Sequence, residues 1–188
     1  MLNLILSDCM YIVLGRFQPF HKGHEHLINR ALDLGPTIIA IGSSQAEMSM
    51  DNPWNADERE AMIRGWLGDR QAKVVKIPDI NDPPNWVEHA KKFHGEGILV
   101  TSDASTRQLY EESDFDVHWV ELENRESYEG WRVRVTLKML STVFELDAQK
   151  EVMKASIPES VVDWLVDNDA LYRLCLLYTS DAADEKRC

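Results

Sequence analysis

The residues best suited to chemistry in this chain form one string: Gly15, Arg16, Phe17, Gln18, Pro19, Phe20, His21, Lys22, Gly23, His24. His21 and His24 stand three apart where a helix is expected to begin, so both imidazoles can share one face and donate hydrogen bonds to the oxygens of a single polyphosphate. Phosphoryl or nucleotidyl transfer needs mainly positioning and neutralisation of spreading negative charge, with no protein nucleophile. Arg16, Lys22 and a bound Mg2+ would add positive charge. Gly15 permits a tight turn and close backbone approach, and Gly23 keeps a side chain out from between the two rings. Taken singly, two histidines near a helix start are solvated caps. The whole string in a strand-turn-helix setting is far more specific, and it lacks the Walker pattern of a P-loop.

The elements around the string explain how it would be presented. Tyr11–Leu14 is an apolar, β-branched run that stops at Gly15, too short for a helix and suited to a buried strand. Apolar residues then recur at helical spacing from Gly23 to Leu34, and Gly35-Pro36 gives a stop signal. Strands follow at Thr37–Ile41, Val74–Ile77, Ile98–Thr101 and Val117–Val120, alternating with helices at 56–67, 86–93 and 105–112. This alternation predicts an α/β fold with a Rossmann-like, doubly wound parallel sheet. Val133–Phe144 and Ser160–Val166 predict a C-terminal helical portion. In such a sheet, ligands bind beyond the carboxyl ends of the strands, where helix N-termini offer unpaired N–H groups and a positive dipole end.

Composition narrows the function classes. The 188 residues carry a formal net charge of -12, which repels polyanions and provides no basic stripe for nucleic acid. A single nucleotide needs only a few cations and backbone amides, so acidity does not exclude one. No apolar run reaches membrane-spanning length, and Leu2–Leu6 lacks the flanks of a signal peptide. A cytoplasmic protein without membrane contact is expected. Cys9, Cys175 and Cys188 are too scattered for a disulfide framework or a metal site. One domain over 10–174 is expected, with 1–9 as an upstream extension. The tail 175–188 resembles one reading frame of sequencing-adapter DNA and is expected to be non-native.

The string Gly15–His24 resembles the signature of the HxGH nucleotidyltransferase superfamily, and the rest of the chain resembles its archaeal-type nicotinamide mononucleotide adenylyltransferases. Gly42-Ser43-Ser44-Gln45, Asn52-Pro53-Trp54, Asp57-Glu58-Arg59, Pro78-Asp79-Ile80, Trp86-Val87 and Ile157–Val162 carry this likeness over nearly the whole chain. The resemblance implies that His21 and His24 bind phosphates and stabilise a pentacoordinate transition state, with Gly15, Phe17, Gln18 and Gly23 belonging to the nucleotide-binding motif. It also implies that Trp86 stacks on the nicotinamide ring and Asp79 lies in the mononucleotide pocket, as suits a cationic pyridinium. Trp86 could equally pack on the core, and Asp79 could cap a turn. Ser43 could meet phosphate or cap the next segment. Glu58 and Arg59 could be a structural ion pair, and Asp103, where relatives often carry asparagine against adenosine, could be an N-cap. The sequence departs from the family pattern at Glu129–Arg134, where a hydroxyl-rich segment is usual. Arg134 keeps the matching position at an expected helix N-terminus and could grip β and γ phosphates, with Arg132 as a substitute for the missing hydroxyls.

The resulting expectation is ATP plus nicotinamide mononucleotide giving NAD and diphosphate, with Mg2+ carried on the ATP, no protein-held metal, and a homo-oligomeric assembly. Three rivals stand beside it. One is adenylyl transfer to another acceptor, such as nicotinic acid mononucleotide, phosphopantetheine or flavin mononucleotide. The second is a catalytically silent nucleotide-sensing module. The third, an aminoacyl-tRNA synthetase core, fails on size and charge.

Overall fold

Strand β1 (Tyr11–Gly15) is hydrogen-bonded on both sides, and the sheet grows outward from it. A computed structural model describes residues 9–122 and 125–184. Five parallel strands run in the order β3-β2-β1-β4-β5, with β2 at Thr37–Ile41, β3 at Lys73–Lys76, β4 at Ile98–Thr101 and β5 at Val117–Trp119. β1 pairs with β2 in the register Tyr11 to Thr37 through Gly15 to Ile41, and with β4 at Tyr11 to Ile98. Order reverses at β1, which is the switch point where an open α/β sheet leaves a crevice.

The described residues form two compact units. The first takes in the chain up to Arg16, Gly23–Ala46 and the stretch from Asp69 to residue 122. The second takes in Phe17–Lys22, Glu47–Gly68 and residues 125–184. The first unit holds the sheet with helices α1 (Lys22–Leu34, from Gly23 on), α3 (Pro83–His94) and α4 (Ala104–Glu111). Ile12, Ala40, Leu99, Val87, Ala90 and Tyr110 belong to one buried cluster, and Val13, Ile39, Ile28 and Ala31 are buried as well. Burial on both faces is why these strands read as unbroken apolar runs rather than as an alternating pattern. The Rossmann-like α/β architecture is as the sequence predicts.

The second unit is helical, with α2 (Ala56–Leu67), a 3-10 turn (Arg125–Tyr128), α5 (Gly130–Leu140), α6 (Leu146–Lys154), α7 (Glu159–Asp167) and α8 (Ala170–Asp184). α7 packs on α2, α6 and α8, and α5 packs on α6 and α8. Asn55 and Glu58 close α2 with a reciprocal capping box, and Glu58 also pairs with Arg173 of α8. Glu58 therefore has a structural partner, and Arg59, fully buried, sends its Nε to the Asn55 carbonyl at 3.2 Å.

Several boundaries differ from the sequence reading. α3 begins at Pro83, three residues before Trp86, because proline is well tolerated in a first helical turn. α6 and α8 were not foreseen. Only Met153 of α6 is buried, so it shows little apolar periodicity, and α8 continues into the suspected tail as far as Asp184. Residues 1–8 of the expected extension over 1–9 and the last residues of that tail, 185–188, lie outside the described residues. Among the described residues no helix is long and apolar enough to cross a membrane.

Gly97 lets β4 approach β1. A Cβ there would stand 2.3 Å from the Met10 carbonyl oxygen, which already accepts the Ile98 N–H at 2.9 Å. Gly97→Ala should lower stability by about 2 kcal/mol, the usual scale of an overpacked site. A urea midpoint equal to that of the parent chain would contradict this close approach.

Candidate functional site

In the first unit the loops after β2, β3 and β4 carry Ser43, Asp79 and Asp103, and the end of β1 carries Gly15, whose carbonyl accepts the Gly42 N–H at 2.9 Å. Asp79 is fixed from several directions. The Gln45 amide donates to the Asp79 carbonyl at 2.8 Å and accepts the Asp79 N–H at 2.7 Å, a two-point clamp on the backbone of one residue. Asp79 Oδ1 accepts the Asn81 N–H at 3.0 Å, and Ser43 Oγ donates to Oδ2 at 3.5 Å. Just before it, the Pro78 carbonyl accepts from His89 Nε2 of α3 at 2.9 Å. The Ser43 hydroxyl thus meets the Asp79 carboxylate rather than capping a helix. Ser43 and Asn81 both hold left-handed backbone, φ 46° and 51°, a conformation that side chains other than glycine seldom adopt.

These restraints present Asp79 to a cavity of about 510 Å³ lined by Leu14, Asp79, Asn81, Asp82, Pro83, Trp86, Thr106 and Leu109. The structure brings the two expected mononucleotide contacts, Asp79 and Trp86, to one cavity. Trp86 is half-buried and meets Tyr110 edge-on at 6.3 Å, so its ring both touches the core cluster and lines the cavity. Tyr110 is fully buried, which pushes its phenol well up. Its O–H donates to His94 Nε2 at 3.0 Å, because His94 Nδ1 must carry the proton given to the Gly95 carbonyl at 2.7 Å. Desolvation lowers the His94 pKa and keeps that ring neutral. Asp103 caps α4, its Oδ1 accepting from the Thr106 N–H at 2.8 Å and from Thr106 Oγ1 at 2.9 Å. His24, in the first turn of α1, is half-buried, Gly23 is buried, and Arg16 is exposed.

In the second unit His21 is 5% exposed and faces a different group. Arg134 Nη1 donates to the Gln18 carbonyl at 3.0 Å, and Nη2 pairs with Asp51 at 3.3 Å. Gly130 opens α5, and a Cβ there would stand 3.4 Å from Arg134 Nη1 and 4.0 Å from both the Gln18 carbonyl and His21 Nε2. A guanidinium, an imidazole and a helix N-terminus therefore converge on a place kept open by a glycine, an arrangement suited to an anion. Arg134 is the fifth residue of α5 and lies a turn inside the helix, not at its N-terminus as expected, because the helix already starts at Gly130. Burial, reinforced by the Arg134 charge, drops the His21 pKa from 6.5 to about 4, so the ring is a neutral hydrogen-bonding group at pH 7.

Other motif residues serve the frame. The Gln18 side chain is spent on the Trp54 backbone, donating to its carbonyl at 2.8 Å and accepting its N–H at 3.2 Å. Phe17 is buried and stacks on Phe20 at 6.1 Å. Lys22 was expected to add charge at the phosphates. Its ammonium donates instead to the Lys154 carbonyl at 2.6 Å, and its N–H donates to the Ser156 carbonyl, which anchors it to the end of α6. Arg132 lies over the exposed Trp131 ring at 4.7 Å and pairs with Glu129 at 3.0 Å. Gln45, Gly130 and Thr106 are candidate positions to which the sequence analysis gave no role at the site. Their one available signal was an amide, a glycine and a hydroxyl placed at strand or helix ends. Among the described residues no group of three or more His, Cys, Asp or Glu could hold a metal ion.

Residues 12–157 match the family model described as cytidylyltransferase-like. The chain belongs to that family. A nicotinamide-nucleotide adenylyltransferase of Thermoplasma volcanium is 32% identical over 177 residues, covering 90% of this chain and 92% of its own length. Its counterpart from Thermoplasma acidophilum is 31% identical over 174 residues, with the same coverage. A crystal structure of a bifunctional NMN adenylyltransferase/ADP ribose pyrophosphatase from Francisella tularensis shares the fold, with a TM-score of 0.61 at 20% identity over 86% of this chain. The chain spans about half of that protein, 53% of its length.

The depressed His21 pKa has a pH consequence. Between pH 6.5 and about 4 the unfolded chain binds a proton that the folded chain refuses, so stability is complete above 6.5 and is lost as pH falls towards 4. The loss should reach about 3 kcal/mol. His21→Gln should flatten this part of the stability profile in urea melts taken from pH 4 to 7. An unchanged slope would show that His21 is not the buried neutral group.

Proposed function

We propose that the chain transfers the adenylyl group of ATP to nicotinamide mononucleotide, forming NAD and diphosphate. The observation that carries this reading is the cavity where a half-buried indole, Trp86, and a clamped carboxylate, Asp79, meet: an aromatic face and a negative charge suit a cationic pyridinium. The archaeal relatives of that name, similar over 90% of the chain, support it.

In this reading a phosphate oxygen of the mononucleotide attacks the α-phosphorus of ATP in line. The bond from that phosphorus to the bridging oxygen breaks, and diphosphate leaves with the electron pair. Arg134 and Arg16 balance charge on the polyphosphate, and His24 and neutral His21 donate hydrogen bonds to its oxygens. The second of these roles needs no imidazolium, so the depressed His21 pKa is compatible with it. ATP enters as its Mg2+ complex, which supplies further neutralisation on the departing diphosphate. Ser43 and Gln45 hold Asp79 in place, while Arg132 adds positive field at the start of α5.

His24→Ala should lower kcat by about 100-fold or more, on the scale of a lost transition-state donor, with an unaltered circular dichroism spectrum. Diphosphate release near the parental rate would remove His24 from the mechanism. Trp86→Ala should raise the KM for nicotinamide mononucleotide about tenfold while leaving the KM for ATP within about threefold, as a lost stacking contact does. If neither constant moved, transfer to another acceptor would be favoured. If the parent chain released no diphosphate from ATP on addition of the mononucleotide, a silent sensing module would be.

A further inference from the structure

The cavity described above carries a second message in its charges. Two of its lining residues, Asp79 and Asp82, are carboxylates, and Asn81 between them is an amide. Among the described residues that line it there is no lysine, arginine or histidine. Asp79 faces the cavity from a rigid loop, held by Gln45, Ser43 and the Asn81 N–H. Asp82 immediately precedes α3, yet its side chain does not cap that helix. Its Oδ2 accepts instead from Asn85 Nδ2 at 2.8 Å, which steadies the carboxylate at the cavity wall.

A substituent entering such a cavity is sorted by its charge. A carboxamide brings an NH2 group that can donate to carboxylate oxygens, and it leaves the pyridinium positively charged between two negative groups. A carboxylate on the same ring offers only acceptors, cancels the net positive charge of the base, and must be brought close to two like charges in a partly desolvated space. Asp79 is present to meet the ring in either case. Asp82 is the second negative charge, and it has no role in the helix cap that would account for it.

We infer that Asp82 is the specificity-determining residue of this cavity, directing it to the amidated mononucleotide and against nicotinic acid mononucleotide. The inference rests on the reading of this cavity as the mononucleotide site and adds to it which chemical form is taken. It requires no change in the transfer step, since the discriminating group lies on the base and the reacting phosphate is common to both acceptors.

The test compares the two acceptors directly. Diphosphate release is measured with ATP and Mg2+ for nicotinamide mononucleotide and for nicotinic acid mononucleotide, and acceptor binding is measured separately by calorimetry. The parent chain should prefer the amide by about tenfold or more in kcat/KM and in Kd, the scale of one like-charge contact near a protein surface. Asp82→Asn, which keeps the shape and a hydrogen-bond acceptor, should shift the acid-to-amide ratio towards the acid by about tenfold. Asp82→Lys should shift it further in the same direction. A ratio unmoved by both variants, or a parent chain that takes the acid as readily as the amide, overturns the inference, as does binding of neither acceptor. A chain that binds the amide in preference to the acid but releases no diphosphate sustains this inference while refuting the catalytic reading.

Discussion

The rest of the molecule depends on the hydrogen bonding of β1 from both sides. A strand bonded to β2 on one edge and β4 on the other, and buried on both faces, has nowhere to move. The chain leaves it at Gly15 from a fixed point. The cost of such burial is that every backbone group must be paired, which the parallel ladder accomplishes. Because the strand order reverses at β1, the loops at the carboxyl ends of its neighbours are free to hold chemistry rather than structure.

Two kinds of electrostatic environment result. In the second unit, burial strips water from His21 and sets a guanidinium nearby, which favours an uncharged ring. In the first, the carboxylates of Asp79 and Asp82 line a cavity that also holds an indole, which favours a cation. The acidity of the whole chain says nothing about either place, because local arrangement outweighs net charge at contact distance.

Much of the fold was legible because strong signals coincided. Thr37–Ile41, Ala56–Leu67 and Ile98–Thr101 are found where apolar runs and helical spacing put them. α6 escaped because eight of its nine residues lie at least partly in solvent and need no apolar stripe. Among the candidate site residues, His21, His24, Asp79, Trp86 and Arg134 could be singled out from their types and spacing. The occupations of Lys22 and Gln18 could not. A lysine in a phosphate motif reads as a phosphate ligand until the carbonyl of Lys154, distant in sequence, is found at its ammonium.

The sequence by itself determined the α/β alternation and the placing of two histidines at a strand-to-helix turn, because each follows from neighbours along the chain. Only the tertiary structure decided that Gln45 would clamp Asp79, that Gly130 would keep space beside His21 and Arg134, and that burial would make His21 neutral. Those outcomes depend on distances between residues far apart in sequence and on how much water remains around them. Neither quantity is written in the order of the residues until the chain has folded.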